Sequence, residues 1–297
     1  MKIKDWLAFI VLGLIWGSSF LWIKIAVSEV SPALLVAFRL LFGILASLVV
    51  VLIAKPFFPK ERKLWLILTL IGFTNNALPY VLISWGEQYI DSAVAAILNS
   101  TTPLFTMIIA HFFLHDDRLS WSRILGLLIG FAGIMVLVFR DLEPGSLGTD
   151  ARFSILGQLA VLLAALSYAG TSVYARRTTK GLSTIIQGLM PLLGADAAMW
   201  VLVGATESPL RMPVLPITWV AMIWLGVMGV CVAFLLYYYL LHSVGPTRTV
   251  LVTYVFPLVG VALGVIFLNE KMDWHLLVGG GMVVGSIVVV NLKKQGN

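Results

Sequence analysis

One cysteine, Cys231, in 297 residues leaves no partner for an internal disulfide and no ligand set for a cysteine-based zinc site. Charge is equally scarce. Lys+Arg number 20 and Asp+Glu 14, together 11% of the chain, where a soluble domain carries about 25%. No Gly-x4-Gly-Lys-Ser/Thr phosphate loop and no Gly-x-Ser-x-Gly nucleophile elbow occurs. With only four histidines, a membrane di-iron site of the many-histidine kind is excluded. His111 and His115, four apart on a helix with Asp116 beside them, have a spacing that can chelate a metal. The pair is too little to assign one. The expectation is no metal, no cofactor, no catalytic residue and no enzyme.

What fills the chain is apolar residue, 60% of the total, with a mean hydropathy of +1.00. Such a chain is neither a water-soluble globule nor disordered, and its length fits about ten spans of ~20 residues. The net charge of +6 does not point to nucleic acid, because the basic residues stand singly or in short groups between apolar runs. The first apolar run extends to Val27. It is too long for a signal peptide, whose apolar core is ~7–15 residues, and reads as the first span.

The apolar runs predict ten helices over 6–28, 32–54, 63–85, 92–114, 121–140, 154–176, 183–205, 217–241, 247–268 and 274–292. They are continuously apolar, whereas barrel strands would alternate. The longest connection, Asp141 to Phe153, joins two halves of nearly equal size. With the N-terminus inside, only Arg140, Arg152, Arg211 and Lys271 lie outside, and Lys24 and Arg39 lie within spans. The other 14 of the 20 basic residues lie inside. By the positive-inside rule both termini are cytoplasmic and the number of spans is even.

The chain also repeats itself. At an offset of 154 residues, Ile71-Gly72 falls on Leu225-Gly226, Pro103-Leu104 on Pro257-Leu258, Phe113-Leu114 on Phe267-Leu268, and Asp116 on Glu270. At an offset of 152, Trp16 meets Tyr168 and Lys24 meets Arg176. Each repeat holds five spans. Five is odd, so the second copy enters the membrane upside down. Inverted repeats are a construction of secondary transporters, with the site near the midplane between them.

Asp91-Ser-Ala-Val-Ala-Ala-Ile-Leu-Asn-Ser-Thr-Thr-Pro103, the apolar run to Leu114, Asp116, then Leu119-Ser-Trp121 with Gly126 and Gly133, resembles the end of an EamA domain. Pro257 to Leu268, Glu270, Trp274 and Gly279 repeat it. Leu14-Ile-Trp-Gly-Ser-Ser-Phe20 with Lys24, Pro32 and Phe38-Arg39 resembles the domain's start. The whole chain is thus similar to ten-span members of the drug/metabolite transporter superfamily with two EamA domains. His115 departs from the small residue usual before the acidic position. Ser167-Tyr168-Ala-Gly-Thr171 departs from the Trp16 motif. The resemblance implies a carrier that moves small metabolites, often amino acids, out of bacterial cells without an ATP site.

Candidate site residues follow from polarity at depth. At ~1.5 Å per residue Arg39 lies ~10 Å and Asp196 ~13 Å below the outer ends of the second and seventh spans. A charge there costs ~2.5–3.5 kcal/mol unless paired or wet. The two are therefore expected to pair across a cavity. The alternatives are an Arg39 bound to helix carbonyls and an Asp196 that merely faces a cavity. Prolines 79, 103, 191 and 257 free backbone carbonyls inside spans. Near them stand Asn75, Asn76, Asn99, Thr102, Thr253 and Tyr254, suited to a zwitterion's amino and carboxylate groups or else to interhelical bonds of ~0.6 kcal/mol each. Trp16, Phe20, Tyr80, Tyr168 and Tyr254 lie at mid-depth and wall a pocket or pack the core. Gly126-x-x-x-Gly130 and Gly281-x-x-x-Gly285 allow close helix packing, internal or in a dimer. Proton coupling through Asp196 or Glu87 and uniport are equally compatible with the sequence.

The expectation is an all-α membrane protein of the bacterial inner (plasma) membrane. Its parts are a first five-span repeat (1–140), a connecting outer loop (141–153) and an inverted second repeat (154–297). It works by alternating access, as a monomer or else a dimer, with a small-molecule substrate and the lipid bilayer as its partners and no nucleic acid. The rival is an intramembrane enzyme acting on lipid or isoprenoid intermediates. That would need acids, histidines or a nucleophile clustered at one depth, and the sequence groups none.

Overall fold

Hydrocarbon offers the backbone no hydrogen bonds, so a spanning segment must satisfy its own N–H and C=O groups, as a helix does. The computed structural model describes residues 2–56, 58, 60–113, 121–139, 149–179 and 181–292, and all regular structure among them is helical. The helices are α1 Ile3–Ala26, α2 Pro32–Ala54, α3 Arg62–Gly86, α4 Ser92–Phe113, α5 Trp121–Phe139, α6 Ala151–Thr178, α7 Thr184–Thr206, α8 Pro216–Ser243, α9 Leu251–Leu268 and α10 Trp274–Leu292. The first nine have the length and composition to cross a membrane, and α10 is a shorter apolar helix over Trp274–Val290. Leu52, Leu66, Phe112, Trp121 and Val201 stand exposed around the bundle, where hydrocarbon is the natural solvent. His115, Asp116 and the 141–148 part of the expected connecting loop lie outside the described residues.

Local chemistry sets the ends. The Ser31 hydroxyl accepts from the Leu34 amide at 3.1 Å, with Pro32 opening α2. Ser183, 152 residues on, accepts from Ile186 at 3.4 Å and opens α7 in the same way. Both are N-caps that satisfy an orphan amide. The left-handed Asn269 (φ 54°) ends α9, a conformation asparagine tolerates better than most residues.

The packing obeys the inverted repeat. α1 lies on α9 and α6 on α4; α2 lies on α8 and α7 on α3; α1 lies on α8 and α6 on α3. The α2–α7, α4–α9 and α5–α10 pairs each map onto themselves when the halves exchange. At the α5–α10 crossing, a Cβ on Gly133 would stand 2.8 Å from the Gly279 carbonyl, and one on Gly279 2.9 Å from that of Gly133. Gly126 and Gly130 meet Val290 and Ser286, so this face packs internally and is not open to a dimer. On α10 the close-approach glycine is Gly279. Gly281 and Gly285 meet nothing within 4 Å.

The α1–α2, α3–α4, α7–α8 and α9–α10 connections gather at one end, called distal because the N-terminus lies at the other. Glu29 accepts from the Val214 and Leu215 amides at 2.6 and 3.0 Å and from the Thr218 hydroxyl. Ser31 donates to Glu207. At the proximal end, Asp5 accepts from Tyr239 at 3.2 Å and Ser243 at 2.6 Å. All of these bonds join the two halves.

Candidate functional site

Four spans lose regular α-helix at mid-depth, and they do so in pairs that the repeat relates. A π-helical stretch runs over Phe73–Ala77 in α3, and another over Trp224–Val232 in α8. Under the 154-residue register these coincide. α4 breaks at Ser100–Thr101, and a 3-10 turn over Val250–Tyr254 precedes the body of α9. Prolines explain part of this. Pro79 has no N–H for the Asn75 carbonyl, and Pro103 has none for that of Asn99. The Thr102 hydroxyl answers the second deficit by donating to the Asn99 carbonyl at 2.7 Å. Thr102 therefore spends its donor on its own helix. Ser100 and Thr101 likewise donate to Ile97 and Leu98, each at 2.6 Å.

The π stretches are held from across the repeat interface. The Trp16 indole on α1 donates to the Gly229 carbonyl on α8 at 3.1 Å. The Ser167 hydroxyl on α6 donates to the Thr74 carbonyl on α3 at 2.7 Å. In each case the first span of one repeat bonds the irregular backbone of the other repeat's third span. Such stretches are frequent at functional sites, and in a membrane irregular backbone occurs where protein or a wet cavity satisfies it. The Trp16 ring sits edge-on to Phe234 and Phe256, at 6.4 and 5.7 Å.

Arg39 occupies the centre of this frame. It is 5% exposed, and its guanidinium carbon lies 3.7 Å from the centre of the Tyr80 ring. Tyr168, from the other half, is within electrostatic reach of both. A Cβ on Gly229 would stand 3.8 Å from an Arg39 terminal nitrogen and 3.6 Å from the Ser19 hydroxyl. The Arg39 Nε has no hydrogen-bond partner among the described residues. The geometry thus gathers one cation, the Tyr80 ring and the π stretch of α8, with the Tyr168 phenol in electrostatic reach.

The expected ion pair between Arg39 and Asp196 is not formed. Asp196 is within electrostatic reach of Trp200, one turn further along its own helix, and its Oδ1 is buried without a partner among the described residues. Arg39 is engaged by the Tyr80 face instead. Helices α2 and α7 do pack together, but the rotation of each sends its charge to a different neighbour. Asn76 is 2% exposed, and its Oδ1, like that of Asn99, lacks a hydrogen-bond partner among the described residues. Asn75 and Thr253 are half-buried. Tyr254 donates to the Ile287 carbonyl of α10 at 2.6 Å, so its hydroxyl joins helices. In the proximal half an apolar cleft separates α2, α7 and α8, lined by residues including Ser47, Gly188, Cys231 and Tyr238.

The distal end holds a second cluster. The Lys24 ammonium donates to the Glu87 carbonyl at 2.6 Å and the Ile90 carbonyl at 2.7 Å, beyond the C-terminus of α3. Glu270 accepts from the Ser92 amide at 2.7 Å and the Ala93 amide at 3.0 Å, at the N-terminus of α4. Each charge complements the helix end it meets. A Cβ on Gly264 would lie 2.2 Å from a Glu270 carboxyl oxygen, so glycine is needed to seat this carboxylate. Beside them Glu87 is fully buried, and neither carboxyl oxygen has a hydrogen-bond partner among the described residues. Burial pushes this carboxyl well above the usual carboxylate range, against the pull of Lys24. Sequence reasoning missed Ser167, Glu29 and Glu207 as inter-half contacts. An isolated Glu in a turn looks like any solvated residue, and only the position of Ser167 beside Tyr168 hinted at its role.

A profile of the EamA-like transporter family matches residues 4–139 and again 155–292. The chain is 29% identical over 293 residues to the uncharacterized inner membrane transporter YedA of Escherichia coli (strain K12), covering 97% of this chain and 90% of that protein. It is 25% identical over 279 residues to the uncharacterized transporter YdfC of Bacillus subtilis (strain 168), covering 94% and 88%. A solved crystal structure with 21% sequence identity superposes with a TM-score of 0.69 and covers 98% of each chain, a likeness of fold.

Proposed function

This chain belongs to the EamA-like transporter family, and from that premise we propose that it exports amino acids or related small zwitterions by alternating access. Its setting is the bacterial inner membrane, with both termini in the cytoplasm and the distal end outside. The observation that carries the reading is the buried Arg39 guanidinium. It is held over Tyr80 with an unpartnered Nε, at the depth where repeat-related spans lose regular helix. A lone buried cation is costly unless something answers it. A substrate carboxylate would answer it, and the buried amide oxygens of Asn76 and Asn99 are acceptors suited to a substrate ammonium. Tyr80, Tyr168 and Trp16 supply aromatic walls for the substrate's side chain.

The two repeats, 1–140 and 154–297, are the moving bodies in this reading. Cross-half bonds at Glu29, Ser31 and Glu270 hold the distal end shut. The cleft between α2, α7 and α8 lies in the opposite half of the bundle. Counterflow of radiolabelled amino acids in proteoliposomes tests the reading. Saturable exchange of at least one amino acid is expected, abolished by Arg39→Gln in a variant that inserts and unfolds normally. A panel of amino acids that all fail to exchange, while a non-zwitterionic metabolite does, would overturn the substrate class.

A further inference from the structure

Among the described residues Glu87 is the most enclosed ionisable group at the distal end, and nothing proposed for the Arg39 site uses it. Its side chain is fully buried, with both carboxyl oxygens unpartnered among the described residues. An ionised carboxylate in that state would be very costly, so the arrangement suits the neutral acid. The obvious counter-charge is already committed. Lys24 has two donors on backbone carbonyls, one of them Glu87's own, at 2.6 and 2.7 Å. Glu270, the acid that acts on Glu87 from the other half, is bound to the first two amides of α4. Cation and anion are thus held apart by two helix ends, with an acid enclosed among them.

The charged groups that act on Glu87 are Lys24 from α1, Arg39 from α2 and Glu270 from the α9–α10 connection. α6 approaches this end of α3 through backbone, where a Cβ on Gly86 would stand 2.7 Å from the Gly157 carbonyl. A groove bordered by Lys24, Asp91, Glu270 and Lys271 brings water to Lys24 and Glu270, the two charges beside Glu87.

We infer that Glu87 is a proton-binding site that controls the distal seal. With its proton in place the carboxyl is neutral, Lys24 stays on the carbonyls after α3, and Glu270 stays on α4. When the proton leaves to water in the groove, the new carboxylate competes for Lys24, which is already bonded to the backbone of the same residue. Lys24 turns from the carbonyls, and the α3–α4 connection loses its tie to α1, which itself packs on α8 and α9 of the other half, so the seal between the halves loosens. Because this groove lies at the distal end, the proton leaves and returns on one face, and release of an exported species would depend on the pH at that face. This consequence rests on the carrier reading, but the protonation and the seal can be measured with no substrate present.

The test uses the full chain in lipid nanodiscs, with Cys231→Ser and Ser92→Cys introduced together. Ser92 is fully buried under the seal. Its labelling rate by N-ethylmaleimide, divided by the thiolate fraction, should rise about tenfold per pH unit until the carboxyl is ionised. Adding Glu87→Gln, which keeps the neutral shape, should flatten that rise. Infrared spectra supply a readout that does not depend on the glutamine variant. A carboxylic-acid C=O band should persist at neutral pH, vanish over the same range, and shift in Glu87→Asp. Equal corrected labelling slopes with and without the glutamine substitution, or no carboxylic-acid band at neutral pH, would overturn the proposal even if the chain transports amino acids. A labelled substrate that fails to exchange, with both signatures present, would leave the proton site standing and overturn only the substrate assignment.

Discussion

Gly226 presses directly on the backbone of Arg39: a Cβ at Gly226 would stand 2.6 Å from the Arg39 carbonyl oxygen. Its repeat counterpart Gly72 meets the Pro191 carbonyl more tightly still, at 1.9 Å. The third span of each half therefore rides on the second span of the other, and the contact is backbone to backbone. Rigid carbonyls cannot swing aside as a side-chain tip can. Gly226→Ala and Gly72→Ala should each destabilise the protein by about 1–3 kcal/mol, read as thermal unfolding in detergent. Gly204→Ala, with nothing within 4 Å, is the control and should be neutral or slightly stabilising.

The two bonds that hold the π stretches should be energetically alike. Trp16→Phe and Ser167→Ala each leave a backbone carbonyl without its cross-repeat donor. Each should cost about 1–3 kcal/mol if that carbonyl stays dry, and about 0.6 kcal/mol if it finds another partner. Hydrogen exchange over residues 224–232 and 73–77 should report the loosening in the respective variants. Unchanged protection in both would show that these bonds do not hold the irregular backbone.

Tyr80 should matter to Arg39 through its ring face and not through its hydroxyl. Tyr80→Phe keeps the face 3.7 Å beneath the guanidinium carbon, while Tyr80→Leu removes it. A desolvated cation–π contact is worth about 2 kcal/mol. The leucine variant should therefore lose up to about thirtyfold in substrate affinity or the matching amount of stability, with the phenylalanine variant near wild type. Equal losses in the two would assign the role to the phenol oxygen.

Glu29 gives the distal end an acid limit. Bonds from Thr218, and from the amides of Leu215 and Val214, hold its carboxyl below the usual range. A lowered folded-state pKa contributes stability that is whole above the unfolded value of about 4.3, and that is lost as pH falls through the folded value. Glu29→Gln should therefore unfold earlier than wild type at neutral pH, and the two curves should converge in acid. Parallel curves across that range would remove Glu29 from the distal seal.

Orientation can be read with an impermeant thiol reagent on whole cells in a Cys231→Ser background. A cysteine at exposed Gln88 should label from outside, and one at exposed Lys60 should label only after permeabilisation. The reverse pattern would invert the topology.

The ten helices, their even number and their inverted repeat were all legible in the sequence. Each rests on a quantity that a linear chain carries: the length of apolar runs, the side on which Lys and Arg fall, and an offset of 154 residues. Pro79 and Pro103 also announced where helix would fail, since a missing N–H is a fact of composition, but Pro191 and Pro257 sit in regular helix and the π stretch of α8 holds no proline. What answers that failure was decided locally, by Thr102 turning onto the Asn99 carbonyl. Arg39 and Asp196 could be placed at similar depth by counting residues. Depth along a helix follows from sequence position, but the direction a side chain faces depends on how the helix is rotated against its neighbours. That rotation is fixed by contacts between residues distant in the chain, such as Gly226 on the Arg39 carbonyl. It turned Arg39 to Tyr80 and left the Asp196 Oδ1 buried without a partner among the described residues. The enclosure of Glu87 is likewise tertiary, because it depends on Lys24 and Glu270 arriving from opposite halves of the chain to cap two helix ends.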